Sequence, residues 1–108
     1  MKKLQAMFSR LGLIIAIGLI TSNVTVHAAE QAVIDNYSKT CAVCHVSGVA
    51  GAPRTGNKDD WGPRLEKGLD VLIASVEKGL NAMPANGLCT TCSTEDFKAL
   101  IDYMSKAK

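Results

Sequence analysis

Two cysteines and a histidine, Cys41, Cys44 and His45, place the strongest restriction on how this chain can fold. Residues three and four apart share one face of a helical turn, so both thiols and the imidazole can meet one flat ligand. Cys-x-x-Cys-His is the pattern by which haem is attached through thioether bonds. The motif therefore predicts one covalently bound haem c, held by Cys41 and Cys44, with His45 as an axial ligand of the iron.

Two other interpretations of the cysteines stay open. A zinc-stabilised structural module would use Cys41, Cys44, Cys89 and Cys92, but 44 residues separate the two pairs, and zinc ribbons have roughly 15–20. A redox dithiol of the thioredoxin type would need a strand–helix–strand context, and the sequence shows none. We therefore favour haem over both alternatives.

The start of the chain has the pattern of a secretory signal peptide. Three basic residues precede an apolar run of ten residues, 11–20, whereas a bilayer span needs roughly 20. Val26-His27-Ala28 then offers small side chains where a signal peptidase reads the chain. We expect cleavage after Ala28, so that residues 1–28 are a leader and residues 29–108 are the mature haem-binding domain of a periplasmic protein. An uncleaved anchor is the alternative.

The charge of the predicted mature domain differs from that of the whole chain. The full chain carries a formal net charge of +2, but residues 29–108 contain nine basic and ten acidic residues. No basic run with interleaved aromatic residues remains, which argues against nucleic-acid binding. The acidic balance favours partners that present a basic docking surface.

Hydrophobic spacing predicts an all-α domain. Helices are expected over 30–39, over 65–78 with Gly79 as the stop, and from Ser93 onward, with Asp96 as the capping-box partner of Ser93. Glycine and proline predict loops over 46–63 and 81–92. The residues expected to face the core are Val33, Ile34 and Tyr37 in the first helix, Leu69, Leu72, Ile73 and Val76 in the second, and Phe97, Leu100, Ile101 and Met104 in the last.

The sixth position of the iron has two candidate ligands in the mature chain, Met83 and Met104. Met104 falls on the apolar stripe of the last helix, where methionine usually fills the core. Met83 lies in a loop before Pro84, which favours an extended backbone at the preceding residue. We expect Met83 to be the ligand. A thioether ligand favours ferrous iron and raises the potential.

The second cysteine pair, Cys89 and Cys92, lacks the histidine that a second haem would need. Two thiols this close are expected to form a disulfide in an oxidising compartment. The alternative is an active redox dithiol, for which no environment that lowers a thiol pKa is evident.

The mature sequence resembles the cytochrome c5 family of small class I c-type cytochromes, from Tyr37 to Met104. The extra cysteine pair is the most distinguishing mark of the resemblance. The matching features are Cys41-Ala-Val-Cys44-His45, Gly51-Ala52-Pro53, Gly56, Trp61, Arg64, Gly79, Met83-Pro84 and Cys89-Thr-Thr-Cys92-Ser93.

This resemblance implies a small class I fold, with helices wrapped around one haem that has His45 and Met83 as axial ligands, and a structural Cys89–Cys92 disulfide. It further implies that the carbonyl of Pro53 accepts a hydrogen bond from the other ring nitrogen of His45. It suggests that Trp61 and Arg64 lie near the haem propionates. Ordinary packing and an ordinary surface charge are the alternatives for these two residues.

The expected function is one-electron transfer without substrate chemistry, in a monomer or weak dimer. A quinol-oxidising complex or a dehydrogenase is the expected donor, and a terminal oxidase or reductase the acceptor, through transient contacts with membrane proteins. The apolar residues Val46, Val49, Ala50 and Ala52 are expected around an exposed haem edge. The competing functions are a haem-based ligand sensor or a weak peroxidase, both with an open iron.

Overall fold

The computed structural model describes residues 24–107, of which 71% are helical. A short π-helical turn, Tyr37–Cys41, precedes the second helix, and two 3-10 turns, Val49–Gly51 and Ala85–Leu88, lie in the loops. Within 24–107 no strand occurs apart from an isolated bridge. The predicted all-α class is confirmed. The five α-helices are α1 (Val24–Asn36), α2 (Ala42–His45), α3 (Lys58–Leu65), α4 (Leu69–Lys78) and α5 (Thr94–Lys106).

The last helix, α5, is the centre of the core. It contacts α1, α3 and α4, and its four predicted core residues are each at most 3% exposed. Two groups of buried side chains line it: Trp61, Ile73, Ile101 and Met104 on one side, and Cys89, Phe97 and Leu100 on the other. Through these groups α5 packs against Trp61 of α3, Ile73 of α4 and Cys89 in the segment before its own start.

The start of α5 is set by the predicted capping box. The Ser93 hydroxyl accepts a hydrogen bond from the Asp96 N–H at 3.2 Å, and the Asp96 carboxylate accepts one from the Ser93 N–H at 2.8 Å. Each bond satisfies a backbone donor that the first helical turn would otherwise leave free. A cap of this kind stabilises a helix by about 1 kcal/mol, so α5 begins at Thr94, directly after its cap Ser93.

Two predicted boundaries are wrong in the middle of the chain. The helix expected from Leu65 is α4, which begins at Leu69, because Gly68 has a φ of 95° and interrupts the helical path. Leu69, expected to face the core, is 37% exposed, so that expectation is wrong. Residues 58–63, predicted as loop, belong to α3. The side chain of Asn57 caps this helix by accepting from the Asp60 N–H at 3.0 Å, and this signal outweighs the glycine and proline that follow it.

The first helix is longer than predicted and runs into the cysteine motif. α1 begins at Val24 and continues through the π-helical turn into α2, so one helical path leads from the start of the described chain to His45. The expected cleavage point after Ala28 falls within α1, while residues 1–23, which contain the basic and apolar parts of the predicted leader, lie outside the described residues. Of the helices described, none is long and apolar enough to cross a membrane.

Candidate haem site

The two motif cysteines lie on a single helical path. Cys41 has helical dihedrals at the junction of the π-helical turn and α2, and Cys44 follows one turn later. Both are free thiols. Burial raises the pKa of the Cys41 thiol, and a hydrogen bond with the Thr40 hydroxyl at 3.4 Å opposes that shift. Cys41 also packs against both groups of core side chains, so its thiol is held where core and surface meet.

His45 is buried, and its hydrogen bonding defines which ring nitrogen is free. Only 7% of the residue is exposed, and its Nδ1 lies 2.7 Å from the carbonyl oxygen of Pro53. A carbonyl can only accept, so Nδ1 carries the proton and Nε2 has the lone pair. Among the hydrogen bonds formed by residues 24–107 none involves Nε2, and Nε2 is not a fully buried atom without a partner, so it is accessible to a ligand. The ring therefore presents Nε2 as the nitrogen that could bind a metal ion.

A second set of contacts holds the backbone of His45. The Thr55 N–H and the Thr55 hydroxyl both donate to the His45 carbonyl, at 2.7 and 3.2 Å. The Tyr37 hydroxyl lies 2.8 Å from the same Thr55 oxygen. These bonds connect the turn before the motif with the loop after it. Sequence analysis missed this role of Tyr37 and Thr55, since they lie 18 residues apart and no local pattern links them.

The two residues expected near the propionates, Trp61 and Arg64, both lie on α3. The Trp61 ring stacks beside the His45 ring, with centroids 6.0 Å apart, and its indole N–H donates to the Arg54 carbonyl at 3.0 Å. Arg64 is half-buried and donates to the carbonyls of Asp60, at 2.6 Å, and Gly51, at 3.4 Å. The hydrogen bonds to Arg54 and Gly51 thus connect α3 to the segment that follows the motif.

A tight turn presents Met83. Leu80 and Met83 exchange two backbone hydrogen bonds, of 2.9 and 3.0 Å, with Asn81 between them at a φ of 54°. At Gly79, which has a φ of 83°, a Cβ atom would lie 2.8 Å from the Met83 carbonyl oxygen. At Gly87 a Cβ atom would lie 3.1 Å from the Met83 methyl carbon. The two glycines therefore allow the backbone and the side chain of Met83, respectively, to lie where they do.

The two candidate methionines occupy different surroundings. Met104 is only 3% exposed and packs with Trp61, Ile73 and Ile101, whereas Met83 is half-buried in its loop. The turn Ala85–Leu88, which follows Met83, contacts the turn Tyr37–Cys41. This contact brings the Met83 loop next to the cysteine motif.

Cys89 and Cys92 are joined by a disulfide, with 5.4 Å between their Cα atoms. Cys89 is 4% exposed and packs against Phe97 and Leu100, so the disulfide ties the end of the Met83 loop to α5. Because these two sulfurs are bonded to each other, they supply no thiolates for zinc, which argues against a four-cysteine zinc site. In the described part of the chain no three His, Cys, Asp or Glu residues are grouped to hold a metal ion.

The donors that the structure brings to this region match what a haem c requires. Two free thiols lie one helical turn apart, and an oriented imidazole with a free Nε2 follows them directly. A thioether lies on the neighbouring loop, and histidine with methionine is a known axial pair in c-type cytochromes. The residues present therefore fit this cofactor in number and in chemistry.

Comparison with known proteins points to the same cofactor. A family model described as "Cytochrome C oxidase, cbb3-type, subunit III" matches residues 28–104. Cytochrome c5 of Azotobacter vinelandii is 42% identical over 66% of this chain and 88% of its own length. Cytochrome c5 of Ectopseudomonas mendocina is 40% identical over 66% of this chain and 84% of its own.

Solved structures agree in fold as well as in sequence. A mono-heme ferrocytochrome c from Shewanella putrefaciens is 58% identical, with a TM-score of 0.63 over 70% of this chain and 94% of that chain. A chain in the electron transfer complex of nitrite reductase with cytochrome c is 43% identical, also with a TM-score of 0.63, over 68% and 90% of the two chains. This chain therefore belongs to the small class I monohaem cytochromes c of the cytochrome c5 family, whose members carry one covalently bound haem c and act as electron carriers.

Proposed function

We propose that this chain carries single electrons between periplasmic redox proteins and is not an enzyme. In this proposal Cys41 and Cys44 hold the haem, and His45 and Met83 are the axial ligands of its iron. The observation that carries the proposal is the hydrogen bond between His45 Nδ1 and the Pro53 carbonyl, at 2.7 Å. It leaves Nε2 as the only lone pair that this buried ring can donate.

The haem supplies a one-electron couple when it is bound. The chain supports that couple because both proposed ligands are already held in position. The Pro53 carbonyl holds the His45 ring, and two hydrogen bonds with Leu80 hold the Met83 backbone. If His45 and Met83 both bind the iron, small exogenous ligands would find no free site on it. This arrangement favours electron transfer over gas sensing or peroxidase chemistry.

Replacing each methionine in turn tests the ligand assignment. Met83→Ala is expected to keep the covalent haem but to lose the weak long-wavelength absorption band of a methionine–iron bond. Its potential should fall, because a ligand that favours ferrous iron is lost, and its ferrous form should bind carbon monoxide. Met104→Leu is the control and is expected to keep the band, because Met104 packs within the core.

The opposite pattern, with the band lost only in Met104→Leu, would transfer the ligand role to Met104. A wild-type protein that lacks the band and binds carbon monoxide rapidly at neutral pH would contradict axial methionine altogether. That result would favour the sensor or weak peroxidase.

Intact mass tests the leader and the cofactor together. Protein isolated from the periplasm of a host that matures c-type cytochromes is expected to have the mass of residues 29–108 plus one haem. Cys41→Ala/Cys44→Ala should lose the covalently bound haem, since both thioether bonds are removed. A mature mass that still includes residues 1–28 would contradict cleavage after Ala28 and favour the anchor.

Exposed apolar residues beside the motif support a docking face for redox partners. Val46 is 64% and Val49 is 54% exposed, Ala50 is exposed and Ala52 is half-buried. We expect Val49→Lys or Ala52→Lys to slow reactions with partners while the absorption spectrum stays the same. Val71→Lys, on α4 and 50% exposed before substitution, is the control, and equal slowing in all three would contradict a localised face.

The proposed partners are a quinol-oxidising complex or a dehydrogenase as donor and a terminal oxidase or a reductase as acceptor. The solved complex of nitrite reductase with a related cytochrome c supports a reductase as one acceptor class. Stopped-flow oxidation of the reduced protein by candidate acceptors measures this directly. Rates that do not rise with acceptor concentration would contradict direct transfer.

Two residues of α3, Trp61 and Arg64, are the proposed surroundings of the haem. The Trp61 N–H is already donated to a backbone carbonyl, so we propose that Trp61 supports the His45 ring and that Arg64 faces a propionate. Arg64→Gln should lower the potential, because removing a positive charge near the haem stabilises the oxidised form. Lys67→Gln, exposed beyond the end of α3, is the control, and an equal shift in both would contradict a specific contact.

A further inference from the structure

One peptide group connects His45 to an acidic side chain that belongs to a different helix. The carbonyl of Pro53 accepts from His45 Nδ1 at 2.7 Å. The N–H of Arg54, which is the other end of the same peptide group, donates to Asp60 Oδ2 at 3.0 Å. The two hydrogen bonds therefore share one planar, conjugated amide.

The carboxylate of Asp60 is held firmly in this position. The Arg54 side chain donates to both of its oxygens, from Nε at 2.8 Å and from Nη2 at 3.2 Å. These bonds lower the pKa of Asp60 from 3.8 to about 2, so the group is ionised at neutral pH. Trp61, the next residue on α3, fixes the same segment by donating its indole N–H to the Arg54 carbonyl.

An anion that accepts from an amide N–H polarises the whole peptide group. Electron density moves toward the carbonyl oxygen, which becomes a better acceptor, and hydrogen bonds in a chain strengthen one another in this way. Charge-assisted bonds are also stronger than neutral ones. A stronger bond at Nδ1 makes the opposite nitrogen of the imidazole a more basic ligand.

We propose that Asp60 is a positioning residue that tunes His45 through the Pro53–Arg54 peptide and thereby holds down the reduction potential of the haem. The relay runs from carboxylate to peptide to imidazole, with no direct contact between Asp60 and His45. It rests on the proposed function, because it takes His45 as the ligand of the iron. A more basic axial imidazole stabilises the oxidised iron, which sets the sign of the effect.

The potentials of Asp60→Asn and Asp59→Asn, measured in the holoprotein, test the relay. Asparagine keeps the shape of the side chain but not its charge, so the polarisation of the peptide weakens. Asp59 is the exposed neighbour on the same helical turn, and its replacement removes the same charge without touching the peptide. We expect Asp60→Asn to favour reduction about threefold more than Asp59→Asn does, which is about 28 mV at 59 mV per tenfold.

A proton NMR signal separates the relay from a simple charge effect. In the ferrous protein the His45 Nδ1–H resonance should move upfield and exchange faster with water in Asp60→Asn, and should be unchanged in Asp59→Asn. Asp60→Ala, which removes the acceptor completely, should move this resonance further. Thermal unfolding of each variant checks that the fold is kept. Equal potentials and an unmoved Nδ1–H resonance in Asp60→Asn and Asp59→Asn would overturn the proposal.

The same spectra distinguish failure of the relay from failure of the proposed function. In the wild type, a ring bound to the iron has its carbon-bound protons strongly shifted by the haem ring current. If the His45 protons lack that shift, His45 is not the ligand, and both proposals fall. If they show it while the Asp60 and Asp59 variants behave alike, only the relay is wrong.

Discussion

A methyl group added at Gly87 tests how the chain holds Met83. Gly87 has a φ of 54° and a ψ of 36°, and a Cβ atom there would lie 3.1 Å from the Met83 methyl carbon, with no other atom within 4 Å. Ordinary contacts of a Cβ atom are 3.4–4 Å, so the end of the Met83 side chain must move by a few tenths of an ångström. Apart from the backbone strain, Gly87→Ala therefore disturbs the Met83 thioether and no other contact within 4 Å.

The expected effect of Gly87→Ala has two parts, a loss of unfolding free energy and a displacement of the Met83 sulfur. The left-handed conformation costs an L-residue roughly 1–2 kcal/mol, which should appear as a loss of unfolding free energy. Gly51→Ala is the matched control, because Gly51 also has a positive φ, of 82°, but no atom within 4 Å of its Cβ position. Both variants should lose similar stability, and only Gly87→Ala should displace the sulfur.

Both variants are compared in three measurements: denaturant unfolding, the intensity of the methionine–iron absorption band, and the rate of carbon monoxide binding to the ferrous protein. Gly87→Ala is expected to show a weaker band and faster carbon monoxide binding than Gly51→Ala at equal loss of stability. Identical bands and identical binding rates in the two variants would refute the reasoning, because the thioether would then not depend on the space above Gly87.

Three further predictions concern the core, the disulfide and an exposed ion pair. Met104→Ala should cost about 2–5 kcal/mol of unfolding free energy, as expected for a large buried side chain, and a loss below 1 kcal/mol in denaturant unfolding would contradict close packing there. Cys89→Ala/Cys92→Ala should lose roughly 2 kcal/mol, because the disulfide closes only a short loop; an unchanged denaturation midpoint would contradict that. Since the folded pKa of Asp60 lies at about 2, below its ordinary 3.8, the stabilisation by its contacts with Arg54 is present above pH 4 and lost as the pH falls toward 2. Asp60→Asn should therefore flatten the fall of unfolding free energy over that range, and an unchanged slope would count against the pair.

Local signals in the sequence predicted the ends of some helices and missed others. The Ser93–Asp96 capping box and the stop at Gly79 depend on residues within one turn of each other, and both are found where expected. The helix α3 was missed because its cap, Asn57, lies in a segment whose glycine and proline content is typical of loops. α4 begins later than predicted because Gly68 has a positive φ, and hydrophobic spacing contains no information about backbone dihedral angles.

The cofactor could be predicted from the sequence alone, because the attachment chemistry needs only Cys41, Cys44 and His45 within one helical turn. The sequence also limited the candidate methionines to two. The position of the Met83 side chain beside Gly87, and that of Met104 in the core, became visible only in the folded chain. The same holds for the hydrogen bonds that connect Asp60 to His45 through the intervening peptide. Such contacts depend on the path of the backbone through glycine- and proline-rich loops, where dihedral angles follow from packing and not from a repeating pattern.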